Sequence, residues 1–147
     1  MPPTVLIDSN VLISYLLSDL DRRTTIVTVV QIALRGDVQW VVPQEQLREL
    51  EPVIAEPKFG ERITAEMWAA FRAELHISAA VLPLQEYPPL PFTRDRNDDY
   101  LIAAAIRHDV DILVSGDKDL LAMARFLEVP RIMSPAEFVA EFGEADQ

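Results

Sequence analysis

Cysteine is absent from the 147-residue chain, which excludes a disulfide framework and a thiolate zinc site and allows a reducing compartment. The only two histidines, His76 and His108, lack metal-ligand spacing, so each is read as a helix-end residue. Glycine is scarce too, and the four present form neither a dinucleotide fingerprint nor a phosphate loop. No apolar run approaches the roughly 20 residues of a membrane span. The start Met1-Pro2-Pro3-Thr4 has no basic flank of a secretion signal, so a soluble, cytoplasmic protein without a membrane partner is expected. Basic residues number 13 against 24 acidic ones, a formal net charge of -11. Non-specific attachment to nucleic acid rests on cations that neutralise phosphates, and this balance argues against it. A nucleic-acid substrate stays open, because carboxylates caging a divalent cation add to the acidic excess while the bound cation inverts the local field.

What the chain does hold is apolar residues, half of its length, enough for one self-sufficient core. A single domain over residues 1–147 is expected, with a tail that frays after Gly143. Two stretches organise it. Thr4 to Ile7 is a short apolar run followed by Asp8-Ser9-Asn10 and then by Val11, Leu12, Tyr15 and Leu16 in a helical stripe. Ile112 to Val114 repeats the arrangement, with Ser115-Gly116 as turn chemistry and Asp117 where a helix over Leu120, Leu121 and Met123 begins. Each strand thus delivers an Asp to its carboxyl end.

Between them, the spacing of Ile26, Val29, Val30, Ala33 and Leu34 predicts an amphipathic helix, stopped at Gly36-Asp37. Gln39 to Val42 reads as a strand and Gln44 to Ala55 as a helix with Leu47, Leu50 and Ile54 inward. Thr64 opens a helix with Met67, Phe71 and Leu75 on one face, and Ala79 to Leu82 reads equally as strand or helix remnant. The proline-rich stretch from Pro83 to Asn97 is read as an ordered surface loop. Asp98 to Arg107 is a helix with Leu101, Ile102, Ala105 and Ile106 inward; the helix after Asp117 runs to about Leu127. Pro130 to Met133 makes a last strand, and Ser134-Pro135-Ala136-Glu137 opens a last helix. Alternating strands and helices imply right-handed crossovers, hence an α/β fold with three α/β/α layers and a central, mostly parallel sheet.

Four places supply candidate carboxylates: Asp8, Glu49, the Asp98-Asp99 pair, and Asp117 with Asp119. Singly, each has a dull explanation. Asp at a helix beginning caps exposed amides, and Glu49 shares its helix with Glu45, Glu51 and Glu56 on what reads as a solvated face. Together they mean more. If the first and fourth strands are neighbours, Asp8 and Asp117 converge at the crevice where strand order reverses, the place where open α/β sheets bind ligands. Carboxylates crowded in a cleft repel unless a cation joins them, and oxygen donors without Cys or His select a hard ion such as Mg²⁺ or Mn²⁺. Such an ion activates water and stabilises charge on phosphoryl oxygens, which is hydrolytic phosphodiester chemistry.

The segments Val5-Leu6-Ile7-Asp8-Ser9-Asn10-Val11-Leu12-Ile13, Leu47-Arg48-Glu49-Leu50 with Pro57-Lys58-Phe59, Arg94-Asp95-Arg96-Asn97-Asp98-Asp99-Tyr100, and Leu113-Val114-Ser115-Gly116-Asp117-Lys118-Asp119-Leu120-Leu121 stand in a familiar order. In them the chain resembles PIN-domain ribonucleases, and within these the toxin components of toxin–antitoxin pairs. The resemblance implies a three-layer PIN-like domain and a Mg²⁺- or Mn²⁺-dependent endoribonuclease that hydrolyses RNA by metal-activated water. It implies as partners an RNA substrate and an antitoxin protein, and it is compatible with a homodimer. The implied catalytic and metal-holding acids are Asp8, Glu49, Asp99 or Asp98, and Asp117, with Asp119 beside them and Asn10 and Ser115 in supporting positions. Ser115 stands where the family often has Thr, which keeps the hydroxyl. Within the acidic pair, counting back from Ile102-Ala103-Ala104 favours Asp99, whereas the spacing from Asp95 favours Asp98. Adjacent helical residues point about 100° apart, so the two are not equivalent ligands, and Asp99 is preferred.

Two other readings compete. The stretches around Asp8 and Asp117 faintly resemble the first and last motifs of haloacid-dehalogenase-type phosphatases, but Asn10 stands where that chemistry needs a second acid. A non-catalytic PIN-like module, binding RNA or protein with its acids merely capping helices, is the other. Trp40, Trp68, Phe71 and Phe92 are read as core or interface, with substrate contact open to Phe92, and Lys58, Arg62, Arg94 and Arg96 as ordinary surface charges.

Overall fold

Five strands pair in parallel in the order β3-β2-β1-β4-β5, with β1 Thr4–Ile7, β2 Gln39–Pro43, β3 Ala80–Leu82, β4 Ile112–Val114 and β5 Arg131–Met133. The computed structural model describes residues 1–86 and 100–143 in full, and the backbone of 96–99 as the start of a helix. The ambiguous run near residue 80 is therefore a strand, paired with β2 from Val41↔Ala80 to Pro43↔Leu82. The loop read from Pro83 onward is described only to residue 86; Phe92, Arg94 and the tail after Gly143 lie outside the described residues. Among the described residues, no helix is long and apolar enough to cross a membrane.

Parallel strands joined by crossovers are covered on both faces, so consecutive side chains must enter different cores. They do. Val5 and Ile7 of β1, Trp40 and Val42 of β2, Ile112 and Val114 of β4 and Met133 of β5 belong to one buried cluster. Leu6, Val41, Leu113 and Ile132, one residue along in each strand, belong to the other. The first cluster is closed by α1 Ser9–Leu17, α2 Thr25–Arg35, α3 Gln44–Ile54, α4 Ala65–Ser78 and α7 Pro135–Phe142. The second is closed by α5 Arg96–Arg107 and α6 Lys118–Ala122.

The helix boundaries follow local chemistry. Thr24 and Thr64 cap α2 and α4 by accepting from the backbone N–H of Val27 and Met67. Gly36, at φ 82°, closes α2 in the left-handed conformation that glycine adopts without steric cost. Ser134 and Glu137 form a reciprocal capping box at the start of α7. Because α2 touches α1, α4 and α7, it buries Val27 and Ile32 besides Val29, Val30 and Ala33 of its expected stripe, whose ends Ile26 and Leu34 are partly buried.

Three expectations need correction. Met67 is 38% exposed and Ile106 is 43% exposed, so neither faces inward. Each sits at the margin of its helix stripe, where Phe71 and Leu75, or Leu101, Ile102 and Ala105, already fill the interface. The helix after Asp117 ends at Ala122 rather than near Leu127, giving way to a 3₁₀ turn over Ala124–Phe126. Phe126 is 71% exposed, so nothing in that turn is buried deeply enough to hold a longer helix against fraying.

Ile102 and Ile106 offer a same-residue test of this packing. Ile102→Ala should cost about 2–5 kcal/mol in urea unfolding and Ile106→Ala less than about 1 kcal/mol, alanine being the better helix former at an exposed position. Equal losses would mean that the assigned face of α5 is wrong. The capping box gives a pH signature. Hydrogen bonding to Ser134 holds the Glu137 carboxyl below its ordinary value, so its contribution is present above the unfolded-state pKa and is lost as pH falls through the folded one. Ser134→Ala should cost about 1 kcal/mol at neutral pH and progressively less in acid.

Candidate active site

From β1 the chain passes to β2 and β3 on one flank, whereas β4 and β5 lie on its other flank, so strand order reverses between β1 and β4. The register Ile7↔Val114 continues one step further, since Asp8 N–H donates to the Val114 carbonyl at 2.9 Å. Asp8 and Ser115 are therefore next-door residues on adjacent parallel strands. The Ser115 Oγ donates to Asp8 Oδ2 at 2.7 Å and accepts from the Asp117 N–H at 3.0 Å. One fully buried hydroxyl thus ties the two acids together.

Asp8 is only 3% exposed. Burial pushes its carboxyl above the ordinary carboxylate range; the Ser115 hydrogen bond opposes this, and the Asp117 charge adds to it. Although Asp8 occupies the position before α1, its side chain makes no capping hydrogen bond of full geometry, and the Asn10 and Ser9 amides act on its carboxyl less than the Ser115 hydroxyl does. For Asp117 the helix-cap explanation holds for one oxygen: Oδ1 accepts from the N–H groups of Asp119 at 2.7 Å and Leu120 at 3.3 Å. None of the ion pairs among the described residues reaches Asp8 or Asp117. The result is a desolvated carboxylate beside a second one, with no cation of the described residues paired to either.

The three glutamates of α3, and Glu56 just past its end, separate by what they touch. Glu45 accepts from the Gln85 N–H at 2.8 Å, Glu51 pairs with Arg72 and Glu56 with Lys58. Glu49 faces Tyr100 on α5, where burial and then the Glu49 charge raise the phenol well above its usual range, with a smaller contribution from Asp8. Glu49 and Asp8 thus act on one phenol from different sides. Among the described residues, no group of three or more acids and histidines is close enough to hold a metal ion, and the side chains of Asp98 and Asp99, in the first turn of α5, lie outside those residues. Asp119 is exposed in the first turn of α6, and Asn10 is exposed in the first turn of α1.

Sequence reasoning did not single out Gln46, Ser9 or Tyr100 as part of this edge. Fully buried Gln46 donates through Nε2 to the Ile7 carbonyl and to Ser9 Oγ, fastening the start of α3 to the end of β1. Its position three residues before Glu49, one helical turn away, was the available signal. The Tyr100 hydroxyl is buried without a hydrogen-bond partner of full geometry among the described residues. The other tryptophan and phenylalanine assignments hold where described: Trp40 and Phe71 are core, and Trp68 packs against them.

The donor chemistry fits a hard divalent cation: oxygen donors only, a carboxylate whose burial disfavours its charge, and like charge beside it. Mg²⁺ typically takes one or two carboxylates and keeps its waters, so a pair with one or two further acids nearby suffices. No curated protein sequence matches the chain. A family model, the PIN domain, matches residues 4–119. That match spans both strand ends that carry the acids and everything between them, so the chain belongs to the PIN-domain family, whose members are typically metal-dependent nucleases.

Proposed function

We propose that this protein is an endoribonuclease that hydrolyses RNA phosphodiester bonds with Mg²⁺ or Mn²⁺, and that it serves as the toxin component of a toxin–antitoxin pair. The observation that carries the hydrolytic reading is the buried Asp8 carboxylate, held by Ser115 beside Asp117 at the switch point, with no ion-pair partner among the described residues. Asp8 and Asp117 hold the ion in this reading, with Glu49 and Asp99, or Asp98, completing the group. When bound, the ion supplies Lewis-acid stabilisation of phosphoryl oxygens and a more acidic water.

The chain's own residues do the rest. Ser115 fixes the rotamer of Asp8 and, through the Asp117 amide, the start of α6. Gln46 and Ser9 hold α3 against β1, so that Glu49 is carried on a rigid element rather than a loop. Asn10 and Asp119, both exposed beside the acids, are placed to meet water or substrate. The toxin role, the antitoxin partner and the homodimer rest on the resemblance of the four motif segments. Family membership sets aside the phosphatase alternative.

Cleavage of a structured RNA panel in Mn²⁺ tests the main reading. The Asp8→Asn, Asp117→Asn double variant should cut at least about 100-fold more slowly, because each acid neutralises part of the same cation. Equal rates for wild type and variant would sink it. A stability measurement separates this reading from acids that merely cap helices. Burial is the largest influence on Asp8, so a neutral isostere that still accepts from Ser115 removes a cost. In EDTA, Asp8→Asn should melt higher than wild type by a few degrees, consistent with about 1 kcal/mol, and should lose the wild-type thermal shift on adding Mn²⁺. A lower melting point with the Mn²⁺ shift intact would favour the structural role.

A further inference from the structure

Next to the acids, a cleft of about 230 Å³ opens between α1, α2, the β4–α6 turn and the start of α7. Its walls are Val11, Ile26 and Pro135, its polar groups are Asn10 and Ser14, and Asp117 stands at one end. Pockets for whole drug-sized ligands are typically about 300 Å³ or more, so this cleft suits a single ring system. Among the described residues that line it, Asp117 is the one that ionises and none is a cation. With Asp117 engaged in holding the ion, the other lining residues are uncharged and include the apolar Val11, Ile26 and Pro135, a surface that suits a neutral heteroaromatic ring better than a phosphate.

We propose that this cleft seats one nucleobase of the RNA, on the nucleotide adjoining the phosphate that is cut. The inference rests on the nuclease reading above and adds a specificity site to it. Two aliphatic side chains and a proline ring offer apolar surfaces to the faces of a planar base. The Asn10 carboxamide has both donor and acceptor groups, and the Ser14 hydroxyl has one of each, so the cleft can discriminate the edge of the base. Both residues are exposed, so their polar groups are not consumed by the fold.

Gly116 supplies the opening. A Cβ at this position would meet nothing within 4 Å, and its φ is outside the left-handed region, so neither packing nor backbone strain demands glycine. Lack of a side chain there leaves the cleft open beside Asp117.

The test is cleavage of a randomised RNA pool in Mn²⁺, with the cut sites sequenced. Wild type should prefer one base at a single position next to the cut by about tenfold or more, within the range that one shaped pocket delivers. Ser14→Phe and Gly116→Leu, which fill the cleft from two of its lining positions, should each flatten that preference to under about twofold and raise KM, while Ser14→Thr, which keeps the hydroxyl, keeps most of it. The Mn²⁺-induced thermal shift of Ser14→Phe should match wild type, showing that the fold and the acids are intact. A wild-type pool cut without base preference, or filled variants that retain the wild-type preference, would overturn the pocket alone. A wild type that leaves the pool uncut in Mn²⁺ would overturn the nuclease reading and the pocket with it.

Discussion

The pairing of β1 with β4 is the constraint from which the rest of this site descends. Two strands separated by more than a hundred residues lie side by side, with Ile7 opposite Val114, and the ladder runs on through Asp8. Parallel neighbours in register send their side chains to the same side of the sheet, so Ser115 arrives beside Asp8 without any further device. Its single hydroxyl then joins both acids, donating to one side chain and accepting from the amide of the other. A threonine keeps that geometry; an alanine would leave Asp8 desolvated and without the Ser115 hydrogen bond.

That pairing also explains why a destabilising group persists at the edge of a tightly packed core. Four of the largest buried side chains, Leu6, Ile7, Ile112 and Trp40, lie on the strands that support the site. They form rigid ground beneath a carboxylate whose burial opposes its own ionisation. Functional positions commonly violate the rules that the surrounding fold obeys, and the surroundings over-determine them. Here the violation has a chemical use: a carboxylate that is poorly solvated and crowded by a second one gains most when a cation arrives.

Much of the acid edge consists of elements whose helical and strand periods disagree with one another but agree about direction. Asp8 and Asp117 leave strands, Glu49 rides on α3, and Tyr100 on α5, one helix from each side of the sheet. Gln46 and Ser9 bind the first of these helices to β1. The net charge of -11 is compatible with the proposed RNA substrate, since in that reading attraction of the strand would fall to a bound cation and to shape rather than to a basic surface.

Local pattern was enough to read the alternation of elements, the caps at Thr64 and Ser134, the stop at Gly36 and the acids at two strand ends, because these depend on neighbours within a few residues. Periodicity failed where the width of an interface mattered: Met67 and Ile106 satisfy a helical stripe, yet the partner surfaces end before reaching them. It also left Ala80–Leu82 undecided, since three apolar residues carry no period and become a strand only by pairing with β2. The anchoring of Gln46 to Ile7 and Ser9, the bridging of Asp8 to Asp117 by Ser115, and the cleft between α1, α2 and α7 depend on strand order and helix docking. Those are contacts between residues far apart in the chain, and no window along it contains both partners.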